Sequence, residues 1–248
     1  MNIAIKQANP DTDDDISNQL LGRLVAQKPL RAKVFDEFGL DFCCGGNQSL
    51  KEACQKNGVE LNQVLRRMTE DEQTNVVEKN WIDTTLNELI DNIESTHHQY
   101  LKAELPRLNA LAEKVAKVHG EKAPEMITLA NVFREIKDEL EQHAAKEEMV
   151  LFPYIRKLEN KELLSSPPFG TVANPIRCME SEHDQAAQML FKMRELTNQY
   201  SPPEHACSSW VALLGGLAHL DIDLRTHIHK ENSILFPAAL KLEQDSTV

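Results

Sequence analysis

The sequence of 248 residues predicts an all-α fold, in which a small helical N-terminal domain precedes an antiparallel four-helix bundle. Aromatic residues make up only 5% of the chain and glycines number nine, a composition that favours helices over sheet. Long segments between residues 83 and 242 repeat apolar residues at helical spacing, with turn-rich breaks between them. Four such helices with short connections favour a bundle, whose interior is a common place for metal sites.

Composition and helix-boundary residues divide the chain. We predict an acidic flexible extension over 1–15, a small helical domain over 16–70, a linker over 71–82 and the bundle over 83–244. Within the small domain, Ser49 and Glu52 form a capping box that starts a helix, and Gly58 ends it. Three prolines in the bundle segments predict kinks or helix ends: Pro106, Pro153 and Pro237.

Charge and hydropathy exclude several classes of partner. The net charge is −12 and no Lys/Arg cluster is present, so the sequence predicts neither a nucleic-acid nor a membrane partner. The most apolar stretch, 210–220, is too short to span a bilayer, and no secretory signal is readable at the N-terminus. Five cysteines without a disulfide-framework spacing indicate reduced thiols and a cytoplasmic location.

One motif occurs twice, with a His, a Glu and a Leu-Phe-Pro sequence at intervals of four residues. The copies are His143, Glu147 and Leu151-Phe152-Pro153, and, 84 residues later, His227, Glu231 and Leu235-Phe236-Pro237. Residues four apart share a helix face, so each His and Glu would point the same way. His98 and His183 precede the two copies by 45 and 44 residues.

These six side chains predict a dinuclear metal centre in the bundle interior. Buried imidazoles and carboxylates without partners would each cost several kcal/mol, so a cation is expected among them. A single His-Glu pair is usually a surface ion pair, but two copies in register make that interpretation a poor one. Imidazole and carboxylate donors fit a pair of iron ions best, and zinc or manganese stays open.

The sequence gives less specific signals for the roles of the remaining acidic residues, histidines and cysteines. Glu139, Glu182 and Asp223 could orient the metal-binding histidines or relay protons, and as single residues they could equally be solvated. His219 could line an approach to the site. Four histidines are expected to face solvent or cap helix ends: His97, His119, His205 and His229. Three cysteines are expected to be structural: Cys54, Cys178 and Cys207.

Cys43 and Cys44 lie in a glycine-containing loop between two predicted helices of the small domain. Adjacent cysteines chelate one tetrahedral ion poorly without further ligands. One interpretation is a buried pair in a tight turn. The other is a redox-active or iron-handling thiol pair, whose reactivity depends on its thiolate character.

The chain resembles the Repair of Iron Centers family of hemerythrin-like di-iron proteins over nearly all of its length, from about Asn18 to Leu242. The N-terminal match is the segment from Gly39 to Leu50, which contains the adjacent cysteines. The bundle matches are both His-Glu-Leu-Phe-Pro copies, His98 followed by Pro106, and Met-Glu-Ser-Glu-His-Asp around His183.

The resemblance implies a ligand set. It makes His98, His143, His183 and His227 terminal ligands of two iron ions. Glu147 and Glu231 would bridge these ions beside an oxo or hydroxo group. Glu139 and Glu182 fall where the family has acidic residues near a route to the iron. The acidic N-terminal extension departs from the family pattern, and nothing in the sequence explains it.

The resemblance also implies a function, namely repair of iron-sulfur clusters damaged by nitrosative or oxidative stress, by donation of iron. Damaged iron-sulfur proteins would be its clients. Two alternatives stay open, which are an enzyme that binds and reduces nitric oxide at the irons and a sensor of oxygen or nitric oxide. The sequence leaves open the choice between these, the catalytic residues if there are any, and whether the chain forms a homodimer.

Overall fold

The computed structural model describes residues 13–72, 80–162 and 167–246, and over these ranges the chain is helical apart from turns and loops. The one β-type pairing within them is an isolated bridge between Leu20 and Ser49. The chain divides into two compact units, Met1–Asp83 and Thr84–Val248. The all-α fold class is confirmed, and each unit is built from helices that bury one face.

Short helices form the described part of the N-terminal unit. They are α1 (Asp13–Asn18), α2 (Leu21–Gln27), α3 (Arg31–Glu37), α4 (Leu50–Asn57) and α5 (Leu61–Glu72). Apolar side chains at helical spacing make a core in which Leu24, Val34, Phe35, Leu50 and Val64 are fully buried. Burial of these faces against one another holds the short helices together, since isolated helices of this length are marginal in water.

The predicted helix signals around α4 are confirmed. The Ser49 hydroxyl accepts from the Glu52 backbone N–H at 3.3 Å, and the Glu52 carboxylate accepts from the Ser49 N–H at 3.0 Å. Gly58 ends the helix with φ at +66°, a left-handed conformation that glycine adopts without steric cost.

The predicted extension and linker fall largely outside the described residues. Of the extension, residues 1–12 lie outside, and 13–15 belong to α1. Of the linker, 73–79 lie outside, while α5 continues to Glu72 and a 3₁₀ turn occupies Trp81–Asp83. These two segments therefore stay predictions.

The second unit contains the four long helical segments. The first comprises α6 (Leu86–Asn92), a π-helical segment (Ile93–His98) and α7 (Gln99–His119). The second comprises α8 (Glu125–Lys146), a π-helical segment (Glu147–Leu151) and α9 (Phe152–Glu159). The third is α10 (Ala173–Leu196). The fourth comprises α11 (Ser208–Lys230), a π-helical segment (Glu231–Leu235) and α12 (Phe236–Ser246).

The prolines do not end these helices. Pro106 lies within α7, while Pro153 and Pro237 are each the second residue after a π-helical segment. The backbone N–H of Phe152 donates to the Glu147 carbonyl, and that of Phe236 donates to the Glu231 carbonyl, both five residues back. A proline removes one ladder donor and crowds the carbonyl four residues before it, and the wider π turn accommodates both effects.

The bundle core is apolar and continuous along the helices. Fully buried members include Leu105, Leu108, Phe133, Ile136, Leu213 and Leu217. Gly216 lets α11 approach α7, because a Cβ there would lie 2.4 Å from the Leu108 side chain. Among the helices of the described ranges, none is long and apolar enough to cross a membrane.

A buried ionic cluster ties α10 to α11. Asp221 on α11 is 2% exposed and accepts from Arg194 on α10 at 2.6 Å, from Arg225 at 2.8 Å and from the Tyr200 hydroxyl at 2.7 Å. Tyr200 has a left-handed backbone with φ at +59° and follows α10 closely. Burial and the neighbouring carboxylate raise the pKa of Tyr200, so it stays a hydrogen-bond donor. The cluster sets the register of the third helix against the fourth.

The start of α6 is capped by a side chain distant in sequence. The Glu159 carboxylate accepts from the backbone N–H groups of Leu86 at 2.7 Å and Asn87 at 2.8 Å. The Thr85 hydroxyl accepts from the Glu88 N–H at 3.1 Å. The free N–H groups of the first turn are thereby satisfied, and the end of α9 is joined to the start of the helix that carries His98.

Replacing Glu159 should therefore destabilise the second unit. We expect Glu159→Ala to lower the free energy of unfolding by about 1–2 kcal/mol, because two N–H donors lose a charged acceptor. Urea titration followed by circular dichroism measures this change. The matched control is Glu162→Ala, since Glu162 is exposed. Equal stability of the two variants would contradict the cap.

Candidate metal centre

Six ionisable side chains meet in the bundle interior. The relative exposures are 0% for His98, Glu147 and Glu231, 1% for His227, 2% for His183 and 5% for His143. Each of the four long helices contributes one histidine, and the second and fourth add the glutamates. The structure thus brings together all six residues that the sequence repeat singled out.

The donor atoms fall into two overlapping groups. One group contains His98, His227, Glu147 and Glu231, and the other contains His143 and His183 with the same two glutamates. Within each group the ligand atoms all lie within 4.8 Å of one another. The sequence alone could not pair the histidines. The fold pairs the first helix with the fourth and the second with the third.

All four imidazoles turn Nε2 toward the centre. The Nε2 atoms of His143 and His183 are 3.2 Å apart. Nε2 of His227 lies 3.0 Å from Glu231 Oε1, and Nε2 of His98 lies 3.3 Å from Glu147 Oε2. Lone pairs at such distances repel unless protons or cations lie between them.

Three of the histidines are oriented through their other ring nitrogen. Nδ1 of His98 is 2.8 Å from Glu148 Oε1, and Nδ1 of His143 is 2.8 Å from Glu182 Oε2. Nδ1 of His183 is 2.9 Å from Asn232 Oδ1. An Nδ1–H that donates to such an acceptor leaves the Nε2 lone pair for a metal ion.

His227 is oriented differently. Its Nδ1 is buried and has no hydrogen-bond partner within the described ranges, and its ring stacks on His97 with centroids 5.1 Å apart and planes 3° apart. His97 in turn donates from Nδ1 to Asp223 at 2.8 Å and accepts from Lys230 Nζ at 2.8 Å. Burial lowers the pKa of Lys230 to about 8.

The charges at the centre are not balanced by hydrogen bonds alone. Both oxygens of Glu147, Oε2 of Glu231 and Nε2 of His98 are buried without a hydrogen-bond partner among the described residues. Although burial opposes protonation, the Glu147 carboxylate raises the pKa of His143 to about 10. Likewise, burial favours neutral Glu231, but His227 and His183 hold its pKa well below the usual value. Four imidazoles and two carboxylates without thiolates are donors that suit divalent transition ions.

Two sequence expectations about histidines are wrong. His97 and His229 were expected to face solvent or cap helix ends, yet each is only 4% exposed. His97 lies in the π-helical segment Ile93–His98, where the wider turn directs both adjacent histidines inward. Asp223 contacts His97 rather than His227, so it reaches the centre only through the stacked ring.

The outer acidic residues lie at one side of the centre. Glu139 and Glu182 line a narrow pocket together with His143 and His183. The rest of the pocket wall includes Leu140, Ala186, Leu224 and Ile228. Burial and then the neighbouring carboxylates raise the pKa of Glu139. His219 is exposed and is not among these wall residues.

Sequence reasoning missed Glu148 and Asn232, although the repeat contained a signal for both. Each directly follows a central glutamate, and each accepts from the histidine that stands alone on its helix, His98 or His183. Glu148 also binds Lys102, with Nζ 2.9 Å from Oε1. Comparing the two copies beyond their identical residues would have found this position.

The adjacent cysteines lie in the N-terminal unit, in a loop held by Asp41. The Asp41 carboxylate accepts from the backbone N–H groups of Cys43 at 3.1 Å, Cys44 at 3.1 Å and Gly45 at 2.9 Å. Gly46 allows the tight path, since a Cβ there would lie 2.5 Å from the Phe42 carbonyl oxygen.

The two thiols differ in environment. Cys43 is 4% exposed, whereas Cys44 is half-buried, and their sulfurs are 4.0 Å apart. The hydrogen bond to Cys44 and burial raise the pKa of Cys43 well above its usual value. No disulfide joins any of the five cysteines, all of which lie within the described ranges. Cys54 is buried as expected of a structural residue, but Cys178 and Cys207 are exposed.

Histidine and glutamate side chains that converge from four helices define a bundle protein that binds cations at a two-metal centre. Residues 89–239 match the Hemerythrin HHE cation binding domain, and residues 17–72 match ScdA_N, a domain of unknown function. The chain belongs to the Repair of Iron Centers family.

Curated relatives cover nearly the whole chain. The iron-sulfur cluster repair protein YtfE of Dickeya chrysanthemi is 40% identical over 227 residues, which is 91% of this chain and 98% of the relative. A probable iron-sulfur cluster repair protein of Haemophilus influenzae is 39% identical over 226 residues, 90% of this chain and 97% of the relative. YtfE of Yersinia pestis is 38% identical over 229 residues, 92% of this chain and 100% of the relative.

Removal of bound cations should destabilise the second unit. An ion that binds only the folded chain adds about 4 kcal/mol per site when its free concentration is a thousand times the dissociation constant. We therefore expect a strong chelator to lower the melting temperature and added metal to restore it, as measured by differential scanning calorimetry. The variant His219→Gln, altered at an exposed position of α11, should respond like the parent. An unchanged melting temperature after complete metal removal would contradict a cation-stabilised centre.

Proposed function

We propose that the centre binds two iron ions, one between His98 and His227 and one between His143 and His183. Glu147 and Glu231 would bridge them, because each glutamate belongs to both donor groups. The buried oxygens of Glu147, which lack partners among the described residues, support this assignment. Imidazole with carboxylate, and no thiolate, is a donor set that iron accepts well.

We propose further that the protein repairs damaged iron-sulfur clusters by donating iron, in the cytoplasm and under nitrosative or oxidative stress. The iron is then cargo, and damaged iron-sulfur proteins are the clients. The observation that carries the proposal is the shared pair of glutamates. Repair of iron-sulfur clusters is also what the names of the relatives state.

The shared glutamates make release of one ion easier than release of both. When the ion between His143 and His183 leaves, Glu147 and Glu231 still face the ion between His98 and His227. When the second ion leaves, two fully buried carboxylates lose their last cation, which is costly. Donation should therefore involve mainly one iron per chain.

The pocket beside His143 and His183 gives this ion a way out. Glu139 and Glu182 line it, and carboxylates at a mouth raise the local concentration of cations. Glu182 also orients His143, so a cation that draws Glu182 away would loosen that ligand.

One observation favours a second candidate function, the binding or reduction of nitric oxide. Much of the pocket wall next to the centre is apolar, with Leu140, Ala186, Leu224 and Ile228. Such a wall suits a small uncharged diatomic molecule better than a hydrated ion. A nitric oxide reductase would turn over with an electron donor and keep its metal, whereas a donor loses iron.

Ligand variants test the assignment. We expect His143→Leu and His98→Leu each to reduce the iron content from about two per chain to about one or less, because each removes one donor of a different pair. Glu231→Ala should lose both ions, since it removes a shared ligand. Elemental analysis and the visible absorption of the iron pair measure the effects, with His219→Gln as the control. A full metal complement in His143→Leu would defeat the assignment.

Iron transfer tests the function. The iron-loaded protein is mixed with an apo iron-sulfur acceptor, and cluster formation is followed by acceptor absorbance and activity. We expect transfer of about one iron per chain and slower transfer by the Cys43→Ser/Cys44→Ser double variant, because the loop would lose its metal-handling thiols.

The control for the loop is Cys54→Ala, which removes a buried thiol from the same unit. Equal transfer by the double variant and the control would leave iron donation standing and exclude a role for the loop. Catalytic consumption of nitric oxide with full iron retention and no transfer would overturn donation in favour of the reductase.

A further inference from the structure

A second group of metal-ligating side chains lies where α7 ends and α11 begins. His119 is the last residue of α7, and Cys207 directly precedes the first residue of α11. Nε2 of His119 lies 3.3 Å from Sγ of Cys207. His205 lies two residues before Cys207. The group of His119, His205 and Cys207 therefore combines two imidazoles with a thiol.

These side chains surround one buried indole. The ring of His119 lies 4.9 Å from that of Trp210, and the ring of His205 lies 5.7 Å from it, measured between centroids. Trp210 is 3% exposed, and its buried indole packs against both imidazole rings. His205 and Cys207 are exposed. His119 and Cys207 are thus held close together beside the indole, and His205 and Cys207 are open to solvent.

The backbone around Cys207 is fixed as well. The N–H of Trp210 donates to the Cys207 carbonyl at 2.9 Å, which starts α11. On the other side, the N–H of Ala206 donates to the Pro203 carbonyl at 2.9 Å and closes a turn. Little backbone freedom around Cys207 is lost when an ion binds here. Binding of one ion by all three side chains requires the exposed His205 side chain to turn toward the sulfur.

This group is remote from the di-metal centre. His98 and His119 lie 21 residues apart along one helical segment, which at 1.5 Å per residue corresponds to about 30 Å. The same separation follows on the fourth segment, from Cys207 to His227. Neither set of ligands can reach the other.

We propose that His119, His205 and Cys207 form a second, mononuclear metal site for a zinc-type cation. A thiolate with two imidazoles is a donor set of tetrahedral zinc, and it differs from the carboxylate-containing set of the centre. Binding would release the Cys207 thiol proton to solvent, and the adjacent exposed Glu204 or a water molecule would complete the tetrahedron. The sequence-based expectation that Cys207 is structural does not account for its exposure beside an imidazole.

Thiol protection tests this proposal without reference to activity. Iron-loaded full-length protein is alkylated with iodoacetamide, with and without zinc, and the rate at each cysteine is read by mass spectrometry. We expect zinc to slow alkylation of Cys207 by at least about tenfold, because a coordinated thiolate is no longer a free nucleophile. Exposed Cys178 is the internal control and should react at the same rate in both cases. Iron content is measured on the same samples.

Variants separate coordination from general zinc binding. His119→Gln should abolish the protection and His205→Gln should weaken it, while Cys207→Ser should lower bound zinc by about one ion per chain. Circular dichroism checks the fold of each variant, and Cys207→Ser decides the question if His119→Gln does not fold. Equal alkylation of Cys207 with and without zinc, protection that persists in His119→Gln, or equal protection of Cys178 would overturn the site.

Discussion

Glu147 and Glu231 bring two carboxylates into the middle of an apolar bundle, where neither side chain is accessible to solvent. Hydrogen bonds from described residues satisfy only part of their capacity, and the nearest polar neighbours are imidazole nitrogens. A carboxylate in such a place is stable only beside positive charge. Protonated imidazoles supply some of it, since the pKa of His143 rises to about 10. Cations supply it better, because they also remove the repulsion between facing Nε2 atoms.

The rest of the centre follows from that requirement through a twofold relation between the halves of the bundle. The residue after each central glutamate, Glu148 or Asn232, holds the histidine that has no glutamate on its own segment. The residue before each of those histidines, Glu182 or His97, contacts the histidine of a repeat copy. Both halves therefore orient the central histidines through residues at the same positions. The two halves differ in the chemistry of this contact. Glu182 contacts His143 through a carboxylate, whereas His97 contacts His227 by stacking of the two imidazole rings.

The sequence predicted which six side chains meet in the bundle, because the repeat is visible as letters at a fixed spacing. It could not pair the histidines, since pairing depends on which helices are neighbours in the bundle. It missed Glu148 and Asn232 because these two residues differ in type although they share a position. It also could not distinguish the two thiols of the loop, because the difference between Cys43 and Cys44 comes from burial and from Asp41. The fold class was easier, since apolar periodicity and turn residues are local signals.

The π-helical segments keep residues that are four apart in the sequence on the buried face of their helices. Residues 143, 147, 151 and 155 are all buried, as are 227, 231, 235 and 239. In a straight α-helix with 3.6 residues per turn, positions four apart drift by about 40° at each step, so the last would leave the core. A π turn rotates less per residue and cancels the drift. The segments Glu147–Leu151 and Glu231–Leu235 begin at the central glutamates and keep the central side chains and the apolar residues after them on one face. The repeated four-residue spacing, with a proline two residues after the wide turn, reflects the same geometry in the sequence.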